Sequence, residues 1–156
     1  MAIEKVIDYF RTLGAEDKIK QFDVSSATVE LAAQALGCEG ARIAKTMSFL
    51  VDEKAVLIVT AGDRKIDNSK FKGVFRTKAK MLNPEQVDTL IGHSIGGVCP
   101  FAINEGCTVY LDESLKRFEI VYPAAGNAAS AVELTPDELE KYANFFAGWV
   151  DVCKEI

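Results

Sequence analysis

The sequence is poor in the residues that build metal centres and disulfide frameworks. It has one histidine, His93, and no CxxC pair among its cysteines, which are Cys38, Cys99, Cys107 and Cys153. A structural zinc site takes four cysteine or histidine ligands at short spacings, and disulfide frameworks are typical of small secreted domains. We therefore expect no metal, no cofactor and free thiols in a reducing compartment.

Long apolar runs and a leader sequence are also lacking. No apolar stretch approaches the ~20 residues that span a membrane. The first five residues lead directly into an amphipathic pattern that contains Asp8 and Arg11, unlike a signal or transit peptide. These absences predict a cytoplasmic protein with no membrane partner.

Basic charge is not in excess. There are 18 Lys and Arg residues against 23 Asp and Glu residues, a net charge of −5, whereas a non-specific nucleic-acid coat needs a basic surface. We expect no DNA partner. One short window is nevertheless rich in cations, namely Arg64, Lys65, Lys70, Lys72, Arg76, Lys78 and Lys80. It is either a solvated face or a local set of phosphate contacts.

What the sequence does contain is an ordinary globular core. Its 156 residues, 49% of them hydrophobic, suit a single domain, and no repeat or linker divides residues 1–156. Helical spacing of apolar residues predicts a helix over 3–13, within an N-terminal lead-in of residues 1–19. Residues 43–51 and 55–60 predict an antiparallel hairpin. The irregular alternation of helices and strands indicates an α+β domain with a mixed sheet.

Capping and turn signals place the other elements. The predictions are strands at 19–23, 78–82, 107–112, 118–122, 131–134 and 149–152, helices begun by Ser25 or Ser26 and by Asn83, a short helix at 68–73, and a last helix opened by Thr135 that carries Leu139, Tyr142, Phe145 and Phe146.

The least regular stretch runs from Gly92 to Phe101 and carries two adjacent glycines and a proline. Gly96 and Gly97 lack a Cβ, so they can adopt positive φ and let a ligand approach the main chain. Such a loop can present backbone N–H groups to a carbonyl or an oxyanion. From the residues alone, a tight turn between a helix and a strand is the other interpretation, and local chemistry favours it.

Lys45 interrupts the first strand of the predicted hairpin near its start. A lysine there can be a functional cation. It can also be an edge-strand lysine that discourages aggregation, and local sequence alone does not separate the two.

Four segments taken together resemble the YbaK/prolyl-tRNA-synthetase-associated domain: IAKTM at 43–47, GGVCPF at 96–101, LDES at 111–114 and the turn at 122–126. The resemblance extends from about residue 20 to the end and lies in the order and spacing of the segments. It implies a single α+β domain with a mixed, barrel-like sheet flanked by helices and no metal. It also implies a deacylase of mischarged aminoacyl-tRNA, most often tRNA(Pro) carrying cysteine or alanine, and a partnership with prolyl-tRNA synthetase.

The resemblance also implies roles for residues. Lys45 is the essential residue and positions the substrate, while the loop from Gly96 to Pro100 holds the aminoacyl carbonyl and the 3′ adenosine. The attacking group comes from the substrate: the thiol of a bound cysteine, or a water directed by the ribose 2′-OH. The substrate-binding residues implied are Phe22, Thr46, Met47, Gly96, Gly97, Val98, Cys99, Pro100, Phe101 and Gly126, of which Phe22, Met47, Val98 and Phe101 shape the amino-acid pocket.

Several positions depart from the commonest family pattern. Cys99 stands where serine is frequent, Ala102 where glycine is usual, and Ala131 where some members have an acidic residue. The turn at 123–130 lacks a serine and a second glycine that many members carry. These departures bear on which amino acid is edited, cysteine or alanine.

Two other functions remain open at this level. Cys99 and His93 are close enough in sequence to touch, and a histidine can activate a thiol, so a thiol hydrolase is one alternative. The other is a non-catalytic module that binds tRNA or docks on a synthetase.

Overall fold

The computed structural model describes residues 2–156. The helices are α1 (Ala2–Thr12), α2 (Val29–Leu36), α3 (Asn68–Phe75), α4 (Pro84–Gln86) and α5 (Pro136–Tyr142). The strands are β1 (Ile19–Gln21), β2 (Ile43–Val51), β3 (Lys54–Ala61), β4 (Arg64–Ile66), β5 (Thr108–Asp112), β6 (Tyr122–Pro123), β7 (Ser130–Val132), β8 (Phe146–Val150) and β9 (Cys153–Glu155). Within the described residues, no helix has the length and apolar character needed to cross a membrane.

The centre of the fold is a five-stranded mixed sheet with the order β6-β2-β3-β5-β8. Strands β2 and β3 pair antiparallel, and the other three neighbouring pairs are parallel. Two small antiparallel sheets, β1-β7 and β4-β9, complete the structure. The predicted α+β architecture with a mixed sheet flanked by helices is thereby confirmed.

The hairpin that organises this sheet forms as its sequence predicts. Asp52 and Glu53 connect β2 to β3 with φ of 50° and 65°, the conformation of a tight turn whose twist matches that of the paired strands. Strand β3 is almost entirely buried. Its alternate side chains enter different cores: Leu57 and Val59 join one apolar cluster, and Val56 and Ile58 join another. The sheet therefore separates two cores.

Both predicted capping boxes are present. Asn83 and Gln86 exchange side-chain and backbone hydrogen bonds at the start of α4, and Thr135 and Glu138 do so at the start of α5. After α4 the chain continues as a π-helical segment, Val87–Ile91, which ends at the left-handed Gly92. The glycine loop thus begins directly at the end of a helix, as predicted.

The cap of α2 differs from the prediction. Thr28, rather than Ser25 or Ser26, caps the helix and accepts a hydrogen bond from the N–H of Leu31. Ser26 is occupied elsewhere, because its hydroxyl accepts from the N–H of Ser130, 104 residues away. A long-range contact has overridden a local signal.

Three predicted strands and one helix end are corrected. Residues 118–122 form no continuous strand, since only Tyr122 and Pro123 pair with β2. Residues 78–82 make only a single bridge, from Met81 to Phe49. The last helix ends at Tyr142, because the chain then turns through Phe145 (φ 53°) to enter β8 beside β5. Of the strand predicted at 149–152, only Trp149 and Val150 lie in a strand, β8, while Asp151 and Val152 connect β8 to β9.

Candidate functional site

The candidate site forms where the outer edge of β2 has no neighbouring strand. On its inner side β2 pairs with β3 along almost its whole length. On its outer side β6 pairs only with Ile43 and Ala44. At the other end of β2, the outer neighbour is the segment 80–82. Leu50 N–H donates to Lys80 O at 2.8 Å, and Leu82 N–H donates to Ser48 O at 3.1 Å. The stretch 45–47 lies between these two partners.

Main-chain groups of Thr46 point into this gap. Successive residues of an antiparallel strand direct their N–H and C=O groups alternately to either side. Ser48 and Leu50 direct theirs outward, to the segment 80–82. Thr46 has the same parity, so its N–H and C=O also face outward, where no strand within residues 2–156 meets them.

A cavity of about 410 Å³ opens at this gap. Its wall is contributed by α2 and the residues before it, β2, the start of the π-helical region, the glycine loop and the segment 122–131. Five alanines contribute to it, together with larger apolar side chains such as those of Ile43, Met47 and Leu82: the alanines are Ala27, Ala32, Ala44, Ala124 and Ala131. The volume lies at the small end of the range for ligand sites, about 300–1,000 Å³.

Lys45 lies on the cavity wall as a half-buried cation. Among the described residues, no carboxylate lies within 4.0 Å of its ammonium group. Partial burial lowers the pKa of Lys45, and longer-range attraction to Cys153, Asp63 and Glu30 opposes that shift. A cation held in a cavity without a partner anion is ready for an electronegative ligand.

The hydroxyl of Thr46 is a second unpaired group at the cavity. Its Oγ1 is buried and has no hydrogen-bond partner within residues 2–156. Buried polar atoms are nearly always paired in folded proteins, so an orphan on a cavity wall calls for a ligand.

The glycine loop forms the opposite wall through Gly96 and Val98. Gly96 adopts φ of +95°, a conformation that favours glycine. Gly97 does not line the cavity but lies against the turn at 126–127: a Cβ there would be 2.5 Å from the backbone C of Gly126 and the backbone N of Asn127. Gly97 and Gly126 therefore hold the loop against this turn.

The backbone donors of the loop are only partly available. Gly97 N–H donates to Ser94 O at 3.0 Å and is used within the loop. The N–H groups of Gly96 and Val98 have no acceptor in the part of the chain that the structure describes. These two, rather than the whole loop, can donate to a ligand.

Several sequence-predicted site residues lie outside the cavity. Phe101 is fully buried and packs edge-on against Phe10 of α1, with ring centroids 4.9 Å apart. Pro100 is buried and accepts a hydrogen bond from Asn144 N–H through its carbonyl. Phe22, although partly exposed, is not on the cavity wall. Phe22 and Phe101 therefore lie off the cavity wall, whereas Met47 and Val98 lie on it.

Cys99 and His93 do touch, but away from the cavity. Both are completely buried, with 3.4 Å between Cys99 Sγ and His93 Nε2. His93 Nε2 donates to the carbonyl of Phe101 at 2.7 Å, which leaves Nδ1 unprotonated and without a partner in the described chain. Burial lowers the pKa of His93 and raises the pKa of Cys99 to about 12. A buried thiol held protonated and out of reach of the cavity argues against a thiol hydrolase.

Comparison with known proteins identifies the family. The family model described as an aminoacyl-tRNA editing domain matches residues 23–142. The chain belongs to this family.

Relatives of this editing domain are found both as separate chains and within larger ones. The present chain is 47% identical over 156 residues to the uncharacterised protein YwhH of Bacillus subtilis (strain 168), with 99% of each chain covered. It is 31% identical over 116 residues to a proline–tRNA ligase of Leuconostoc citreum (strain KM20), which covers 74% of this chain but only 20% of the ligase. A crystal structure of a candidate trans-editing enzyme for prolyl-tRNA synthetase matches with a TM-score of 0.88 at 29% identity, over 98% of this chain and 97% of the other.

The chemistry available to the editing domain at its cavity is limited. Among the described residues, no Asp, Glu, His or Cys side chain lines it. Four lining hydroxyls already have internal hydrogen bonds, those of Ser26, Thr28, Tyr122 and Ser130. Nor does any group of three or more His, Cys, Asp or Glu in residues 2–156 have a geometry that could hold a metal. The ammonium of Lys45, the hydroxyls of Thr46 and Ser48 and the open main-chain groups are what remains for a ligand.

Sequence reasoning missed one wall of the site. The segment 26–32, at and before the start of α2, lines the cavity, but nothing in its local pattern distinguishes it from any other helix start. Ile95 and Met81 also line the cavity and are 61% and 58% exposed. Exposed large apolar side chains at a cavity mouth are a signal that only the structure supplies.

Proposed function

We propose that this protein is a trans-editing deacylase that hydrolyses mischarged aminoacyl-tRNA, with Cys- or Ala-tRNA(Pro) as its substrate. The family supports action on aminoacyl-tRNA. The related ligase and the candidate trans-editing enzyme support the connection with prolyl-tRNA synthetase, which is the proposed partner. The proposal keeps a cytoplasmic location, where charged tRNA is found.

The observation that carries the proposal is the cavity at the open edge of β2. It offers a partnerless cation at Lys45, an unpaired hydroxyl at Thr46 and a wall of alanines. This combination suits a small aminoacyl group, whose side chain contacts the apolar wall. The ester and the terminal ribose then meet the polar groups.

Catalysis is proposed to work by positioning and charge stabilisation. The aminoacyl ester is already activated, so a fixed cation and oriented N–H donors can supply much of the acceleration. We assign Lys45 and the N–H groups of Gly96 and Val98 to the developing oxyanion and to substrate alignment. The edge groups of Thr46 would hold the α-amino end.

The attacking group is proposed to come from the substrate side, because within the described residues no carboxylate, histidine or cysteine lines the cavity, so its serine and threonine hydroxyls have no general base beside them. A water directed by the ribose 2′-OH, or the thiol of a bound cysteine, bonds to the carbonyl carbon. The bond from that carbon to the ribose oxygen then breaks, and the ribose oxygen takes up the proton that the attacker gives up. The products are tRNA and either the free amino acid or its cyclic thiolactone.

Discrimination against proline would come from the close-set wall. A hydrophobic pocket separates side chains that differ by one methylene by only about 1–3 kcal/mol, which is why a second sieve is useful. The proposed editing site selects by an upper limit on size: small side chains enter, and the pyrrolidine ring of proline is excluded. Met47 and Val98, both on the wall, are the proposed size-determining side chains.

Release of amino acid from Cys-tRNA(Pro), Ala-tRNA(Pro) and Pro-tRNA(Pro) by the purified protein tests the proposal. We expect multiple turnovers on at least one of the two mischarged species and no acceleration on Pro-tRNA(Pro). Equal hydrolysis of all three would contradict an editing function. Binding without turnover on any of them would favour the non-catalytic module.

A further inference from the structure

Six of the seven cations between residues 64 and 80 divide into two groups in the structure, and the seventh, Lys65, is exposed on β4 apart from both. Arg64 forms ion pairs with Asp63 and Glu155 at 3.7 and 3.4 Å. Lys70 forms an ion pair with Asp151 at 3.0 Å and donates to Cys153 O. These two cations are bound to neighbouring parts of the fold and are not available to a partner.

The second group consists of Lys72, Arg76, Lys78 and Lys80, which we call the basic strip. All four side chains are exposed. Among residues 2–156, no carboxylate lies within 4.0 Å of any of their charged groups. Four unpaired cations in nine consecutive residues are concentrated on an otherwise acidic protein.

Local structure gives the strip a direction. Lys72 is in the last turn of α3, and Arg76 ends that helix with φ of 63°. From there exposure alternates, with Arg76, Lys78 and Lys80 exposed and Thr77 and Ala79 partly buried. This alternation places Arg76, Lys78 and Lys80 on the solvent side of the segment. The strip therefore presents a row of charges to solvent.

This row ends at the mouth of the cavity. Lys80 O accepts from Leu50 of β2, and the next residue, Met81, bridges to Phe49 while lining the cavity. Met81 is 58% exposed, and Ile95 from the glycine loop, also on the cavity wall, is 61% exposed. A chain of phosphates could follow the strip, and its terminal base would meet an apolar rim.

We infer that the basic strip binds the phosphate backbone of the RNA whose aminoacylated 3′ end occupies the cavity. The inference rests on the proposed deacylase function and adds the path along which the RNA approaches. This inference explains how an acidic protein can bind a polyanion. The contact is local, and the cations that make it have no ion-pair partner within residues 2–156. The excess of acidic residues elsewhere keeps the rest of the surface from binding RNA.

The test compares two triple variants with the same change of charge. The strip variant carries Arg76→Gln, Lys78→Gln and Lys80→Gln. The control carries Lys54→Gln, Lys65→Gln and Lys154→Gln, three exposed lysines of β3, β4 and β9 that lie outside the basic strip. Each protein is assayed on aminoacyl-tRNA over a range of salt concentrations, and on 3′-aminoacyl-adenosine, which has the ester but no phosphate.

For the strip variant, we expect kcat/KM on tRNA to fall roughly tenfold or more, through KM, with activity on aminoacyl-adenosine unchanged. The slope of log kcat/KM against log salt should become less negative by about 2–3, the value for three lost phosphate contacts. The control should resemble the wild type in both assays.

The other outcomes are distinguishable. If the strip variant matches the control on tRNA, in rate and salt slope, the strip inference is overturned and the deacylase proposal stands. If its activity falls only when prolyl-tRNA synthetase is present, the strip binds an acidic protein surface and the RNA assignment is wrong. If the wild type hydrolyses neither substrate, the deacylase proposal fails. In that case the binding of uncharged tRNA tests the strip inference. Equal slopes of log affinity against log salt for the strip variant and the control would overturn it.

Discussion

Lys45 has the features of a residue kept for function at a cost in stability. Its ammonium group is half-buried without a carboxylate partner in the described chain, and its pKa is lowered mainly by that burial. A base whose pKa is lowered by folding makes the folded state less stable at any pH below the lowered pKa. This penalty fades as the pH rises through the lowered pKa towards 10.5.

Lys45→Met should therefore raise the free energy of unfolding at pH 7, by about 0.5–2 kcal/mol, the range common for relieving an unfavourable group. Chemical denaturation measures it, and Lys54→Met, at an exposed lysine of β3, is the control with no expected gain. A marked loss of stability in Lys45→Met would show that the lysine is needed for the fold.

His93 should make stability depend on pH in a predictable direction. It is the only histidine in the chain, and burial lowers its pKa below 6.5. The unfolded chain thus takes up a proton first as the pH falls. The stabilisation is complete above 6.5 and is lost as the pH falls from there through the folded-state pKa, by at most about 1.4 kcal/mol per pH unit.

Comparison with His93→Gln isolates this effect. Glutamine retains a side-chain donor for Phe101 O but does not titrate, so the fall in unfolding free energy between about pH 7 and 5.5 should be smaller in the variant. Denaturation curves at several pH values measure the difference. Identical pH dependence in the two proteins would mean that His93 is not held neutral.

At the scale of elements, the glycine loop and the turn at 126–127 act as one unit. Gly97→Ala places a methyl group 2.5 Å from the backbone of that turn, so we expect a loss of about 1–3 kcal/mol in stability. Because the loop forms one wall of the cavity, ligand binding should weaken as well.

Gly73→Ala is the matched control for this substitution. Gly73 lies within α3, and an added Cβ would meet nothing within 4 Å, so alanine should stabilise the protein by about 0.5–1 kcal/mol. Thermal unfolding of both variants tests the contrast. A Gly97→Ala protein as stable as the wild type would show that the loop is not held against the turn.

Elements whose signals are local were predictable from the sequence. The hairpin β2-β3, both capping boxes and the helix ending at Gly92 depend on neighbouring residues, and all are present. Elements decided by distant contacts were not predictable. Ser26 looked like a helix cap but is bonded to Ser130, and the chain after Tyr142 leaves its helix because β5 needs a partner.

The same distinction applies to the candidate site. Lys45, Thr46, Met47, Gly96 and Val98 were named from sequence, and all line one cavity. Phe101 was named with them but packs against Phe10, 91 residues earlier, in the core. Burial of that kind is a tertiary property and leaves no local trace. Nor could the sequence show that 45–47 is the unpaired part of β2, because that depends on where β6 and the segment 80–82 stop.

At the scale of the whole molecule, the net charge does not describe how the charges are arranged on the surface. A net charge of −5 suggested no nucleic-acid coat, yet four exposed cations without an ion-pair partner in the described chain fall within residues 72–80, which lead to the cavity mouth, while Arg64, Lys70 and Arg117 are paired with acidic residues. Net charge is thus a poor guide to a local RNA contact. The ion-pair pattern, which only the structure supplies, is the better guide.

The most direct test of the account is multiple-turnover deacylation by the wild type, Lys45→Met and Cys99→Ser, assayed on whichever mischarged tRNA(Pro) the wild type hydrolyses. The account predicts that Lys45→Met is folded but loses nearly all activity, whereas Cys99→Ser, which alters a buried residue outside the cavity, retains most of it. An active Lys45→Met together with an inactive, folded Cys99→Ser would contradict the account and restore the thiol hydrolase.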